Sequence, residues 1–210
     1  FDNSVSSPIV PAYIDDLPVC SIGSLAFAGS PIETIQLPDT LVRIENNAFS
    51  CCNNLTNISF PDSVKYIGTS ICNNCSKLKS VKWSKSVTNI RAHSFQNCNS
   101  LNEIKNIDNI KTIENYAFFN SGIVSFKIPS SVTEIGYCAF AECHNLESLI
   151  MTHVPIIARD AFINSRKMKI NCRNIKVKKW AQQTELSIEK SKINTFLNME
   201  LENKEQEGEK

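Results

Sequence analysis

Glycine is scarce in this chain, at six residues in 210, which argues against a barrel punctuated by glycine turns. Neither charge is in excess: 22 Lys and Arg face 21 Asp and Glu, for a formal net charge of +1. Such a balance gives no electrostatic footprint for nucleic acid or for an anionic membrane surface. No apolar run reaches the ~18 residues that cross a bilayer, so no membrane span is expected. Also absent are the Gly-x-Ser-x-Gly, His-Glu-x-x-His and phosphate-loop motifs. Three histidines are present, His93, His144 and His153, and they fall at unrelated repeat positions. No enzyme activity and no cofactor are expected. The chain opens on Phe1 instead of Met. This reads as a fragment or a processed product, in which a removed signal peptide would leave no trace. The final residues, Glu-Gly-Glu-Lys, carry no prenylation box or retention signal.

What the chain does contain is 42% hydrophobic residues in a repeating order. The segment Leu41-Val-Arg-Ile-Glu-Asn-Asn-Ala-Phe49 matches Val132-Thr-Glu-Ile-Gly-Tyr-Cys-Ala-Phe140. Their common frame, V-x-x-I-x-x-x-A-F, ends at Phe27, Phe49, Cys72, Phe95, Phe118, Phe140 and Phe162, in steps of 22 or 23 residues. Cys72 occupies an aromatic slot and marks the irregular repeat. A second frame, C-x-x-L-x-x-I-x-I, follows each slot, as from Cys52 to Phe60 and from Cys75 to Trp83. Around Ser30 and Ser121 serine replaces cysteine and the frame is one residue shorter. Pro38, Pro61 and Pro129 close several copies.

A period of 20–50 residues is the mark of a solenoid. Within one repeat, Leu55-Thr-Asn-Ile58-Ser-Phe60 alternates apolar and polar side chains, as a short strand does. The V-x-x-I half is too short for an independent helix and is expected to form a second extended or 3₁₀ segment on the opposite wall. One repeat cannot bury its own apolar side chains, but stacked repeats can. The expected fold is therefore an α/β leucine-rich-repeat solenoid. It has seven turns of 22–23 residues, mostly short parallel strands, with little helix except at the C-terminus. The expected division is 1–18 as an N-terminal flank or cap, 19–172 as the array, and 173–210 as a C-terminal cap with a charged tail. In that last part Trp180 is placed to seal the array. Ile193, Phe196, Leu197 and Leu201 fall at helical spacing, and residues 202–210 are expected to be disordered.

The frame A-F-x-x-C-x-x-L-x-x-I-x-I-P-x-x-V-x-x-I-G resembles the BspA-like leucine-rich repeat, the Treponema-type class of bacterial and protist surface antigens. The resemblance runs from about Val19 to Cys172. It departs from the frame at Cys72 for Phe, at Ser84 for Pro, and in a shift at Asn106-Ile107. It implies display at the cell surface and adhesion to host or matrix proteins.

Nine cysteines invite a chemical reading. Cys72-x-x-Cys75 looks like half a zinc site, but no second Cys-x-x-Cys completes four ligands. The repeat register places Cys52, Cys75, Cys98 and Cys143 in one column with Ser30, Ser121 and Ser165. The shared property of that column is small size, so packing is expected and metal is not. Stacking at ~4.8 Å also exceeds the ~3.8 Å Cβ separation that a disulfide prefers. Cys20, Cys51, Cys138 and Cys172 lie outside the column, in positions expected to be exposed. An odd total without a disulfide framework favours a reducing compartment, against the surface display implied by the resemblance. Asn74, Asn97, Asn120 and Asn164 precede the small slot and read as turn residues that can pair along the array. Glycosylation sequons occur at Asn54, Asn57 and Asn74. Asn54 and Asn57 are expected on the surface, and use of any of them requires secretion.

A solenoid binds through its exposed face. Two outward columns follow from the register. One runs Thr34, Asn57, Ser80, Glu103, Ser125, Ser148, Lys169, and the other Gln36, Ser59, Lys82, Lys105, Lys127, Ile150, Asn171. Lys82, Lys105 and Lys127 are expected to form a row, with Asn57, Ser59, Ser80 and Ser125 beside it. These seven are the candidate residues for binding a protein ligand. Stacked like charges are destabilising, and an acidic partner would offset them. The competing reading is that the lysines only keep the sheet face solvated. Two functional readings stand: a surface antigen or adhesin, and an intracellular scaffold on the same fold.

Overall fold

In the computed structural model, residues 6–158, 160–165, 167–171, 176 and 179 are described. Each repeat is one coil with two short strands. The far wall is built by β3 (Ser21–Ile22), β4 (Arg43–Ile44), β6 (Tyr66–Ile67), β8 (Asn89–Ile90), β10 (Thr112–Ile113), β12 (Glu134–Ile135) and β14 (Ile156–Ile157). The near wall is built by β5 (Asn57–Ser59), β7 (Ser80–Lys82), β9 (Glu103–Lys105), β11 (Ser125–Lys127), β13 (Ser148–Ile150) and β15 (Lys169–Asn171). All pairing along both walls is parallel. Among the described residues only β1 (Tyr13–Ile14) and β2 (Leu17–Pro18) form an antiparallel hairpin, ahead of the first coil. The seven aromatic slots delimit six complete turns, so the solenoid has about six turns and not seven. Helix is almost absent: among the described residues it appears only at Lys176 and Lys179. The expected C-terminal helix, Trp180 and the charged tail lie outside the described residues.

The far wall is extended for only two residues per coil and then breaks into consecutive turns; among the described residues no 3₁₀ segment forms. The backbone explains why. Residues two before the aromatic slot have positive φ: Leu25, Asn47, Ser70, His93, Tyr116 and Cys138 lie between 52° and 61°. Residues two after it also have positive φ, between 51° and 70°: Gly29, Cys51, Asn74, Asn97, Asn120, Glu142 and Asn164. A left-handed residue every four positions interrupts any run of helical dihedrals, and it is what the third residue of a type II turn needs. These turns also stack. The amide of each aromatic donates to the coil above, as from Phe118 to the Ala139 carbonyl (2.7 Å) and from Phe140 to Ala161 (2.7 Å). The Ala before the aromatic is fully covered in four coils, at Ala48, Ala117, Ala139 and Ala161.

Asparagine after the aromatic satisfies two demands at once. It tolerates the left-handed region, and its amide reaches the neighbouring coil. Asn97 Nδ2 donates to Asn74 Oδ1 (2.8 Å) and Asn120 Nδ2 donates to Asn97 Oδ1 (2.9 Å). Asn164 donates to Glu142 in the same manner. Replacing Asn97 by Ala removes both bonds and puts a Cβ-bearing residue without side-chain compensation at φ 58°. The expected cost is about 2 kcal/mol. Asn97→Gly, which relaxes the backbone but loses the bonds, should cost about half of that, as read by urea denaturation. Equal losses for the two variants would show that the φ constraint contributes nothing.

The core is a single cluster running the length of the array. Stacked rings form its spine: Phe27–Phe49, Phe95–Phe118, Phe118–Phe140 and Phe140–Phe162, with centroids 5.0–5.4 Å apart and planes within 19°. Cys72 interrupts this ladder. There the ring contacts detour through the near wall, from Phe49 to Phe60 (6.3 Å), Trp83 (5.4 Å) and Phe95 (5.7 Å). The cavity that a Cys in an aromatic slot would leave is thus filled by Trp83, which is fully buried.

The N-terminal flank runs beside the near wall of the first coil. The Val10 amide donates to the Gln36 carbonyl (2.9 Å), and that of Gln36 to Pro8 (3.0 Å). Ile9, Tyr13, Ile14 and Leu17 nonetheless stay exposed.

Candidate functional site on the outward strand face

The near wall sets the candidate side chains in the expected columns. Asn57 pairs with Ser80 and Ser80 with Glu103; Ser59 pairs with Lys82 and Lys82 with Lys105. In the last coils Ser125 pairs with Ser148, and Lys127 with Ile150. Residues between them, Ile58, Val81, Phe126 and Leu149, point into the core and are buried. Strand alternation therefore delivers all seven candidates to one face. Asn57, Ser59, Lys82, Lys105, Ser125 and Lys127 are exposed and Ser80 is half-buried, its hydroxyl donating to Asn57 Oδ1 (2.7 Å).

One expectation is corrected here. Lys82 and Lys105 are direct neighbours, but β9 and β11 are not hydrogen-bonded, and the near wall falls into two three-stranded sheets. Lys127 thus belongs to a different sheet from Lys82 and Lys105, and the row is interrupted. The expected like-charge strain is partly answered within the chain. Lys105 Nζ lies 3.2 Å from Glu103 Oε1 on its own strand. Asp62, held below the usual carboxylate range first by the Lys85 amide and then by the charge of Lys85, also faces the charge of Lys82.

The cysteine column is a stack of buried donors. Cys52, Cys75, Cys98 and Cys143 are all fully covered. Each Sγ points at the carbonyl of the aromatic slot in the coil before: Cys52 to Phe27 (3.0 Å), Cys75 to Phe49 (3.1 Å), Cys98 to Cys72 (3.0 Å), Cys143 to Phe118 (3.0 Å). Ser165 makes the same bond to Phe140 (2.6 Å). The slot takes a small side chain, and in five coils that side chain donates to the preceding coil; Ser30 makes no such bond and Ser121 pairs with Cys143 instead. Burial pushes the thiols of Cys72, Cys98 and Cys143 up, the opposite of a reactive or metal-ligating cysteine. The eight described cysteines are free, and no group of three potential ligands is placed to hold a metal ion among the described residues. Cys20 and Cys51 are exposed as expected, but Cys138 is buried. The same position in the earlier coils, at Leu25, Asn47, Ser70, His93 and Tyr116, shares its positive φ but is not buried. Cys172 lies outside the described residues. Of the sequons, Asn57 and Asn74 are exposed, whereas Asn54 is half-buried and accepts from Lys77 Nζ (2.9 Å).

The far wall carries a strip that period reading passes over. Arg43 and Arg91 both lie over the Tyr66 ring, at 4.2 and 4.8 Å from its centroid. His93 stacks on Tyr116 (5.0 Å), which meets Tyr137 edge-on (5.5 Å). These residues sit at positions marked x in the repeat, where the frame specifies nothing; only the coil register aligns them.

Comparison with known proteins places the fold. No curated protein matches. A leucine-rich repeat protein from Eubacterium ventriosum superposes with a TM-score of 0.53 at 19% identity, over 66% of this chain and 43% of that one. A leucine-rich repeat protein from Bacteroides ovatus gives 0.49 at 22%, over 82% and 64%. A leucine-rich cell surface protein from Faecalibacterium prausnitzii gives 0.41 at 20%, over 84% and 62%. The chain therefore spans less than two thirds of each of these proteins. Among the described residues no helix is long and apolar enough to cross a membrane. The repeat frame, its two-strand coils and six matched copies of the BspA-type leucine-rich repeat over residues 20–147 and 66–190 agree, and the chain belongs to that family.

Proposed function

We propose that this chain is a non-catalytic protein-binding module whose ligand lies across the near wall, and that it serves at the cell surface as an antigen or adhesin. The observation that carries the binding reading is the near-wall register. It holds Asn57, Ser59, Ser80, Lys82 and Lys105 outward from one three-stranded sheet, with Ser125 and Lys127 on the next. Short polar side chains and lysines on a regular platform suit reversible contact with an acidic protein surface. The surface assignment rests on the family. Affinity capture with the immobilised array, compared with a variant carrying Lys82→Glu, Lys105→Glu and Lys127→Glu, tests the binding face. Retention of the captured ligand should fall at least 10-fold, and the loss should shrink as salt is raised. Undiminished retention by the triple variant would remove the near wall as the binding face.

A second reading, an intracellular scaffold on the same fold, is favoured by one observation: all eight described cysteines are free. Disulfides are common in extracellular proteins and rare in reducing compartments. Fractionation of cells that express the full-length gene separates the two readings, since surface protease removes a displayed array and spares an internal one.

A further inference from the structure

The near wall opens where one inward side chain changes type. The residue after the strand points into the core and is buried at Phe60, Trp83, Ile128 and Met151. In the coil of β9 that place is taken by Asn106. An amide side chain cannot enter an apolar core without partners. Asn106 instead adopts φ 63°, stays half-buried, and donates Nδ2 to the Trp83 carbonyl (3.3 Å).

The near-wall strand bonds between this coil and the next are missing, although other bonds such as Gly122 N to the Cys98 carbonyl (3.0 Å) still join them. In four other coils the amide at this position reaches the next coil: Phe60 to the Lys82 carbonyl (2.9 Å), Trp83 to Lys105 (3.0 Å), Ile128 to Ile150 (2.9 Å) and Met151 to Asn171 (3.2 Å). No such bond joins Asn106 to Lys127. The paired donation of Asn102 and Glu103 amides to Lys79 likewise has no counterpart from Val124 and Ser125 to Asn102. Two strand edges, β9 and β11, therefore face each other unpaired. Between them lies a groove of about 440 Å³, with Ile104, Ile107, Phe126 and Pro129 in its wall and Lys105 and Lys127 at its rim. Asp108 also lines it. Glu103 partly neutralises Lys105, while Lys127 has no ion pair among the described residues. The far wall also breaks, between β6 and β8, but there the Arg91 guanidinium covers the Tyr66 ring.

We propose that this breach is a docking slot for a short, extended, acidic peptide segment of a partner protein. The inference rests on the protein-binding reading above and narrows it to one gap. Free strand edges supply backbone hydrogen bonds to an extended chain, and side-chain pockets supply selectivity. An apolar side chain of the peptide enters between Ile104, Ile107 and Phe126. A carboxylate beside it meets the unpaired ammonium of Lys127. The groove lies within the volume range of ordinary ligand sites.

Selection of a random linear heptapeptide library on the immobilised chain tests this. The enriched peptides should share a carboxylate next to a β-branched or aromatic residue. Their affinity, measured by fluorescence anisotropy, should fall at least 10-fold in Asn106→Ile, which restores an apolar plug, and at least fivefold in Lys127→Glu. Lys65→Glu, an exposed change on the far wall, should leave it unaltered. Lys127→Glu is a surface change, so the test survives if Asn106→Ile misfolds. Failure to enrich any peptide over an unrelated protein, a basic or neutral consensus, or peptides that bind folded Asn106→Ile as well as they bind the parent would each overturn the proposal. If binding survives Asn106→Ile but is lost in Lys82→Glu and Lys105→Glu, the slot is wrong and the near-wall reading stands.

Discussion

Phe118→Ala is expected to destabilise the array by about 3–5 kcal/mol, the usual range for deleting a buried ring. Phe118 is fully covered and touches three other rings: Phe95 at 5.4 Å, Phe140 at 5.0 Å and Phe126 at 5.3 Å. Truncation removes the middle of the stacked spine and leaves a cavity that flanking coils cannot close, because backbone bonds from Phe118 to Ala139 and from Phe95 to Ala117 fix their spacing. The natural gap at Cys72 is the informative contrast. Its neighbours carry Phe60 and Trp83, which lean into the space. Cys72→Phe, which makes the repeat more regular, is therefore expected to overpack the core and destabilise it by about 1–3 kcal/mol. Both variants are read by thermal unfolding. If Phe118→Ala were neutral, or Cys72→Phe stabilising, the ring spine would not be the organising element of this core.

Alkaline pH should unfold this protein unusually readily. The thiols of Cys72, Cys98 and Cys143 are raised by burial, whereas an unfolded cysteine ionises near ~8.5. Below that pH both states hold the proton and the thiols have no effect on the pH dependence. Above it the unfolded chain releases protons that the folded chain keeps, so stability falls as pH rises. Each thiol can remove at most about 1.4 kcal/mol per pH unit above that point, and only until its own raised folded ionisation is reached. Cys98→Ser tests the cause, since Ser already fills the same slot at Ser121 and Ser165. The variant should stay folded at neutral pH and lose stability less steeply above ~8.5 in denaturant titrations. A slope unchanged by the substitution would place the alkaline sensitivity elsewhere.

Much of the fold was legible in the residues because a solenoid repeats one short sentence. Period-2 alternation at Leu55 to Phe60 placed Ile58 inward and Asn57 and Ser59 outward, and the ladder pairs agree with the columns read from the register. The asparagine column was legible as turn residues, since a left-handed position favours Asn. The Cys/Ser alternation pointed to a small slot; that Cys52, Cys75, Cys98, Cys143 and Ser165 also donate to the preceding coil depends on how the coils stack. Other features were not legible. Cys138 was expected at the surface because its repeat position is unspecified, yet it is buried where its counterparts Leu25, Asn47, Ser70, His93 and Tyr116 are not. The Arg43–Tyr66–Arg91 stack joins side chains from different coils at unspecified positions, where a repeat frame has no information.

The sequence by itself determined the architecture, the core positions and the outward face, because each depends on spacing and side-chain type within one repeat. Tertiary structure alone decided how neighbouring coils differ. Trp83 fills the space left at Cys72 because the two walls are close enough to share side chains. Asn106 opens the near wall because a polar group at an inward slot costs more to bury than a short ladder is worth. The row from Lys82 to Lys127, continuous on paper, is divided at that point.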